Sequence, residues 1–328
     1  MSDTQFPRGH QDLGHATHLV DIDLYRPHLG ACYLLRDGDQ FALIDCGTMH
    51  SVPQVMQTLA AAGGSSEQVR WIIPTHVHLD HAGGAGQLMQ ACANAQLVVH
   101  PKGYQHMVDP SKLQAGASAV YGEEAFAADF GELLAVEEAR AIAAEDGQQF
   151  ALGGRTLTFI HTPGHANHHG CIFDSASRYL FTGDTFGLGY QEFAERSPYI
   201  IATTSPVAFD PDAWMDSLDR MLALEPAAVC LTHFSRHDNP AALAPMLRES
   251  IQAHVQIALA EEPDQSDGRE QRVRDAVDRL LVGGAVAHCG MAEDRARELL
   301  AGDIELNAQG LVVWLARRAK KRFTARPH

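Results

Sequence analysis

Apolar residues in the first two thirds of the chain fall into short runs broken by turn residues. Leu19–Tyr25, Ala31–Arg36 and Phe41–Asp45 read as strands, the last two separated by the turn Asp37-Gly38-Asp39. Ser51 is placed to cap a helix whose apolar face is Val52, Val55, Met56, Leu59 and Ala60. Val69–Thr75 reads as a strand, His81 to about Cys92 as a helix, and Leu97–His100 as a short strand. Gly83, Gly84 and Gly86 in that helix allow another backbone to come close. Further strands are expected at Thr156–Ile160, Gly170–Asp174, Tyr179–Thr182 and Ala227–Leu231. Asp210-Pro211 has the form of a helix start, with Trp214, Met215, Leu218, Met221 and Leu222 as its apolar face. Beyond about Pro240 the strand pattern gives way to helical spacing: Leu243, Met246, Leu247, Ile251 and Val255; Val273, Val277, Leu280 and Leu281; Ile304, Leu311, Val312 and Leu315.

The stretch 103–150 differs from its surroundings. Between Tyr121 and Gln149 it holds eight acidic residues and a single basic one, Arg140, with frequent alanine. It is expected to be a helical insertion with a solvated acidic face. The domain reading is thus a strand-rich domain over 1–240 carrying that insertion, followed by a helical extension over 241–328.

Composition narrows the classes. The chain has 328 residues and is 45% hydrophobic, enough for a large core. Its formal charge of −16 argues against a nucleic-acid partner, since phosphate binding needs a basic surface. The basic run Arg317, Arg318, Lys320, Lys321, Arg322 and Arg326 fits a solvated helix end that favours the helix dipole. The polar start Met1–Gly14 has no apolar leader core, and no apolar run reaches the ~20 residues of a membrane span. A cytoplasmic protein with no membrane partner is expected. The six cysteines are scattered without a C-x-x-C pair, as buried free thiols are in a reducing compartment.

The candidate chemistry lies in Thr75-His76-Val77-His78-Leu79-Asp80-His81. Three imidazoles and a carboxylate in six residues, His76 to His81, are metal-ligand types at a density that folding alone does not demand. Three further motifs also follow expected strands: Thr162-Pro163-Gly164-His165, Thr182-Gly183-Asp184-Thr185 and Leu231-Thr232-His233. Each alone would read as a structural histidine or a turn. Their joint order, on loops after strands, points to one site held by a sheet edge.

In this order the four motifs resemble those of the metallo-β-lactamase-fold hydrolases, over roughly residues 15–240. The resemblance implies an αββα sandwich, two mixed β-sheets flanked by helices. It implies two divalent metal ions. His76, His78 and His165 would hold the first, Asp80, His81 and His233 the second, and Asp184 would bridge them. Zinc is the default for such ligands, while iron and manganese accept the same set. Asp80 and Asp184 are the expected catalytic carboxylates, and a hydroxide held by the metals the expected nucleophile. His169 and Asp45 match supporting positions beside the ligands, whereas His100, His161 and His168 are not taken as ligands.

The resemblance implies a hydrolase acting on a small ester, thioester or lactone. A phosphodiesterase, a persulfide dioxygenase-like iron enzyme and a slow regulatory hydrolase remain alternatives. The Cys-Gly-Arg element of glyoxalase II is missing from the segment after Asp184. That segment instead supplies Phe186, Tyr190 and Phe193, with Tyr199 nearby. These four form either an aromatic substrate wall or packing beneath the C-terminal helices. Those helices are similar in placement to the ones that cover the site in glyoxalase II. A small-molecule substrate is the expected partner, and a second copy of the chain is left open.

Overall fold

In the computed structural model of the protein, the described residues are 5–193, 198–263 and 267–324; Arg326 and the first four residues lie outside them. Among the described residues thirteen strands form two sheets. The first has the order β1 (Gln11–Asp12), β2 (Thr17–Asp21), β3 (Ala31–Asp37), β4 (Gln40–Ile44), β5 (Val69–Ile73), β6 (Gln96–Val99), β7 (Ala141–Ala143). It is antiparallel from β1 to β4 and parallel from β4 to β7. The second runs β13 (Ser235–Asp238), β12 (Ala228–Leu231), β11 (Tyr179–Gly183), β10 (Gly170–Asp174), β9 (Arg155–His161), β8 (Gln148–Leu152). Only its β11–β12 pair is parallel.

The helices are α1 (Val52–Ala61), α2 (Leu79–Ala82), α3 (Ala85–Ala91), α4 (Pro101–Val108), α5 (Ser111–Tyr121) and α6 (Glu123–Asp129). They continue with α7 (Pro211–Ala223), α8 (Pro240–Ala260), α9 (Arg269–Cys289), α10 (Glu293–Leu299) and α11 (Ala301–Thr324). The chain divides into two compact units. The first takes the chain up to His161, His168–Gly183 and Glu225–Asp238, and so contains both sheets and α1–α6. The second takes Thr162–Asn167, Asp184–Leu224 and the chain from Asn239 onward, and contains α7–α11.

Strand periodicity explains the first unit. Successive residues of a strand point to opposite faces. Along β3, Ala31, Tyr33 and Leu35 belong to one buried cluster and Cys32 and Leu34 to the other. In β4, Ala42 and Ile44 alternate in the same way with Phe41 and Leu43. The first cluster is completed by Phe150, Leu157, Phe159, Ile172, Phe181 and Cys230 of the second sheet, so the sheets pack face to face. The other cluster takes Val55 and Leu59 of α1 and Leu88 and Met89 of α3 against the outer face of the first sheet. A first sheet buried on both faces must read as near-continuous apolar runs, as β3 and β4 do.

Several expectations shift. The helix capped by Ser51 starts instead with a 3-10 turn, Met49–Ser51, whose cap is Thr48; its hydroxyl accepts from the His50 N–H at 3.2 Å. Ser51 itself is helical, and its hydroxyl donates to the Ile22 carbonyl at 3.3 Å. The helix expected from His81 to Cys92 is two, α2 and α3. A Cβ on Gly84 would lie 2.7 Å from the Thr48 carbonyl oxygen and 2.8 Å from that of Cys46, so the backbone turns there against the preceding loop. The acidic stretch is helical only to Asp129, after which the chain returns to the sheets as β7 and β8. Arg140 is the anchor of that return: its guanidinium donates to the carbonyls of Met89, Cys92 and Ala95 at 2.7–3.1 Å. The polar edge strand β13 carries no apolar signal. All six cysteines are buried and none is in a disulfide.

The second unit follows the helical spacing expected of it. Val273, Val277 and Leu281 of α9, Leu247 and Ile251 of α8, and Ile304, Leu311 and Leu315 of α11 are buried. Asp210 caps α7, accepting from the Ala213 N–H at 3.2 Å, with Pro211 in the first position. Among the described residues no single helix is long and apolar enough to cross a membrane.

Candidate metal centre

In the first unit the centre is organised by Asp45 at the end of β4. This residue is 1% exposed and has a left-handed backbone, φ 57°, which Asp tolerates better than most residues. Its Oδ1 accepts from the Thr75 N–H at 2.7 Å and from the Thr75 hydroxyl at 2.9 Å. Its Oδ2 accepts from the Thr232 hydroxyl at 2.6 Å and from His81 Nδ1 at 2.9 Å. One buried carboxylate thus ties together the loop after β5, helix α2 and the loop after β12.

These bonds fix the imidazoles. A carboxylate can only accept, so the bond to Asp45 engages a proton on His81 Nδ1 and leaves Nε2 as the nitrogen a metal ion would take. His233 does the same through another partner: its Nδ1 donates to the Leu29 carbonyl at 2.7 Å. Both Nε2 atoms face Asp80, at 3.5 Å for His81 and 3.1 Å for His233. Asp80, His81 and His233 offer ligand atoms within 4.8 Å of one another. Two imidazoles, each oriented through Nδ1 by an outer partner, and a carboxylate form a set that fits a divalent ion.

His76 and His78 lie beside this group, with His76 Nε2 2.8 Å from His78 Nδ1. The His76 ring sits 4.7 Å from that of His169, which is fully buried. Gly183 leaves room for that stack, since a Cβ there would come within 2.5 Å of the Thr75 hydroxyl and 2.6 Å of His169 Nε2. His168 sits above His76, its Nδ1 3.5 Å from the Val77 amide. His100 and His161 pair with each other, ring centroids 4.1 Å apart. His100 caps α4, and burial followed by its neighbour His161 pushes its pKa down to about 3.

In the second unit His165 and Asp184 face each other, Nε2 to Oδ2 at 3.4 Å. His165 Nδ1 donates to the Thr203 carbonyl at 2.8 Å, so Nε2 is the nitrogen turned to Asp184 and the one a metal ion would take. Trp214 stands beside this ring and its indole N–H donates to the Thr185 carbonyl at 2.6 Å.

The four aromatic residues are interior. Phe186 and Phe193 are fully buried, and Phe193 packs edge-on to Tyr199. Tyr199 stacks on His288 of α9, and the Tyr190 hydroxyl donates to Asp303 of α11 at 3.0 Å. Within this unit Tyr199 and Tyr190 thus meet α9 and α11. The sequence reasoning passed over Thr75, Thr232 and the carbonyls of Leu29 and Thr203. The two threonines did carry a signal, each standing directly before a histidine; the carbonyls carry none.

The metallo-beta-lactamase superfamily model matches residues 25–233. The chain therefore belongs to the metallo-beta-lactamase superfamily, and its two mixed sheets flanked by helices are the fold of that family. It is 28% identical over 211 residues to the metallo-beta-lactamase fold-containing protein ST1585 of Sulfurisphaera tokodaii, covering 63% of this chain and 73% of that one. The solved structure of ST1585 aligns with a TM-score of 0.60 at 24% identity, over 91% of this chain and 98% of the other. The acyl-coenzyme A thioesterase MBLAC2 of Homo sapiens is 26% identical over 188 residues, 53% of this chain and 65% of that protein. An atrochrysone carboxyl ACP thioesterase of Aspergillus fumigatus is 30% identical over 159 residues, 47% of this chain and 38% of that one.

Proposed function

We propose that the protein hydrolyses a thioester at a dinuclear metal site. The observation that carries the reading is the shared orientation of His81, His165 and His233. Each gives its Nδ1 proton to an acceptor and leaves Nε2 for a ligand bond. Family order supports His76, His78 and His165 as ligands of one ion, Asp80, His81 and His233 as ligands of the other, and Asp184 as the bridge. Two divalent ions, zinc by default, would supply Lewis acidity and acidify a water molecule.

The residues of the chain have separate tasks. Asp80 is 25% exposed, against 0% and 8% for the side chains of His81 and His233. It is the carboxylate open to water, and it orients the attacking water by accepting its hydrogen bond. Asp45 holds His81 in the ligating tautomer. Water adds across the carbonyl carbon–sulfur bond, giving a carboxylic acid and a free thiol. The names of two relatives, a coenzyme A thioesterase and an acyl-carrier thioesterase, favour the thioester over the lactone and the phosphodiester.

The test is hydrolysis of acyl-coenzyme A, an aliphatic lactone and a phosphodiester by metal-loaded protein, with free thiol as the readout for the first. Thioester turnover that disappears in Asp80→Asn supports the reading. Turnover of the phosphodiester alone would replace it.

A further inference from the structure

The carbonyl that orients His165 belongs to a strap, 199–205, which is bonded to the C-terminal helices. The Ile200 N–H points at Met246 Sδ of α8, 3.1 Å away. The Ala202 N–H donates to the Ser250 hydroxyl of the same helix at 2.9 Å. Next along the strap, Thr203 offers its carbonyl to His165. The Thr204 N–H then donates to Asn307 Oδ1 of α11 at 2.6 Å, and the Thr204 hydroxyl lies 2.8 Å from the same oxygen and 3.1 Å from the Asn307 carbonyl.

Asn307 is an unusual residue for this place. It is fully buried on a helix otherwise packed through Ile304, Leu311 and Leu315. Its remaining donor, Nδ2, is satisfied by the Asp303 carbonyl at 2.8 Å, so the amide orientation is fixed from both ends. A buried polar side chain in an apolar helix face is unfavourable unless its partners are met, and here they are met by the strap. Three residues on, Gly310 lets α11 approach: a Cβ there would run into the Thr204 carbonyl oxygen. The strap is also zipped to the segment after Asp184, with Leu188 and Ile201 exchanging backbone hydrogen bonds at 2.9 and 3.0 Å.

We infer that Asn307 is a positioning residue for metal binding, acting through the Thr203–Thr204 peptide on the orientation of His165. The inference rests on His165 being a metal ligand, as proposed above. The Thr203 carbonyl and the Thr204 N–H belong to one planar peptide group, so freeing that N–H from Asn307 frees the acceptor of His165 Nδ1. The imidazole then loses the fixed tautomer and ring angle that ligation needs. Outer partners of metal-bound histidines contribute roughly tenfold to a hundredfold in affinity. The helical C-terminal extension thereby becomes part of the metal centre without supplying a ligand.

The experiment is titration of metal-free full-length protein with Zn2+ and with Co2+. Wild type, Asn307→Ala, Thr204→Val and His165→Ala are compared, with circular dichroism and thermal unfolding of each. Asn307→Ala is expected to weaken one of two binding events by roughly tenfold or more, and to alter the visible bands of that cobalt ion only. Thr204→Val keeps the N–H bond and is expected to show a smaller shift. Folded Asn307→Ala with wild-type affinities, while His165→Ala loses an ion, would overturn this inference alone. His165→Ala with unchanged metal content would overturn it together with the ligand assignment. Should Asn307→Ala fail to fold, Thr204→Val with both wild-type affinities and unaltered cobalt bands is the overturning result.

Discussion

Replacing Asp45 by Asn separates the charge of the carboxylate from its shape. The two carboxylate oxygens each face a donor that cannot turn: the Thr75 N–H on Oδ1 and the His81 Nδ1–H on Oδ2. An amide has one oxygen, so its NH2 must point at one of them. The hydroxyls of Thr75 and Thr232 can rotate to suit, but the amide N–H cannot. The imidazole escapes only by moving its proton to Nε2, which blocks the nitrogen that would bind the metal ion. Hydrogen bonds to a charged group contribute about 1.5–3 kcal/mol each, and one such bond plus some charge assistance is lost. Asp45→Asn should therefore lose about 2–4 kcal/mol of unfolding free energy. It should also bind the ion of the Asp80, His81 and His233 set roughly tenfold to a hundredfold more weakly. Urea unfolding and a chelator-competition titration read the two effects. A variant with wild-type stability and both wild-type affinities would refute the argument.

Other expectations concern the second unit. His254 on α8 is fully buried, its Nδ1 donating to the Ser250 carbonyl at 2.8 Å, and burial holds its pKa down at about 4 against 6.5 in an open chain. The neutral form favours the fold, so its contribution is complete above pH 6.5 and is lost as pH falls toward 4. Between pH 7.5 and 5 the wild type should lose about 2 kcal/mol more unfolding free energy than His254→Leu; equal pH slopes would exclude this. Gly164 has φ 144° and no room for a Cβ against the backbone and side chain of Trp214. Gly164→Ala should lower stability by about 1–3 kcal/mol and disturb the neighbouring His165, seen as a lower melting temperature with weaker metal binding. An unchanged melting temperature would contradict that placement.

The parts of the fold that were legible in the sequence are those where period and burial agree. The strands β3 and β4 are buried on both faces and announce themselves as apolar runs, and Asp210-Pro211 carries its cap in its chemistry. The polar edge strand β13 and the three-residue β7 are held by backbone pairing to their neighbours, which leaves little mark on residue type. Ser51 misled because Thr48, three residues earlier, is an equally good cap and has the loop geometry to use it. At the site, dense ligand types gave away the His76–His81 run. The orienting carbonyls of Leu29 and Thr203 did not show, because a backbone oxygen is the same in every residue. Asn307 was hidden for another reason: one more polar residue on a helix that carries many reads as a surface position until the strap is seen against it.

The most direct test of the central claim is the metal content of the protein purified without added metal, set beside that of Asp184→Ala, with acyl-coenzyme A hydrolysis measured on both. Two divalent ions per wild-type chain, a folded variant that has lost metal, and thiol release only from the wild type are the predicted results. A variant that keeps wild-type metal content, or thiol release that survives removal of all metal, would contradict the account.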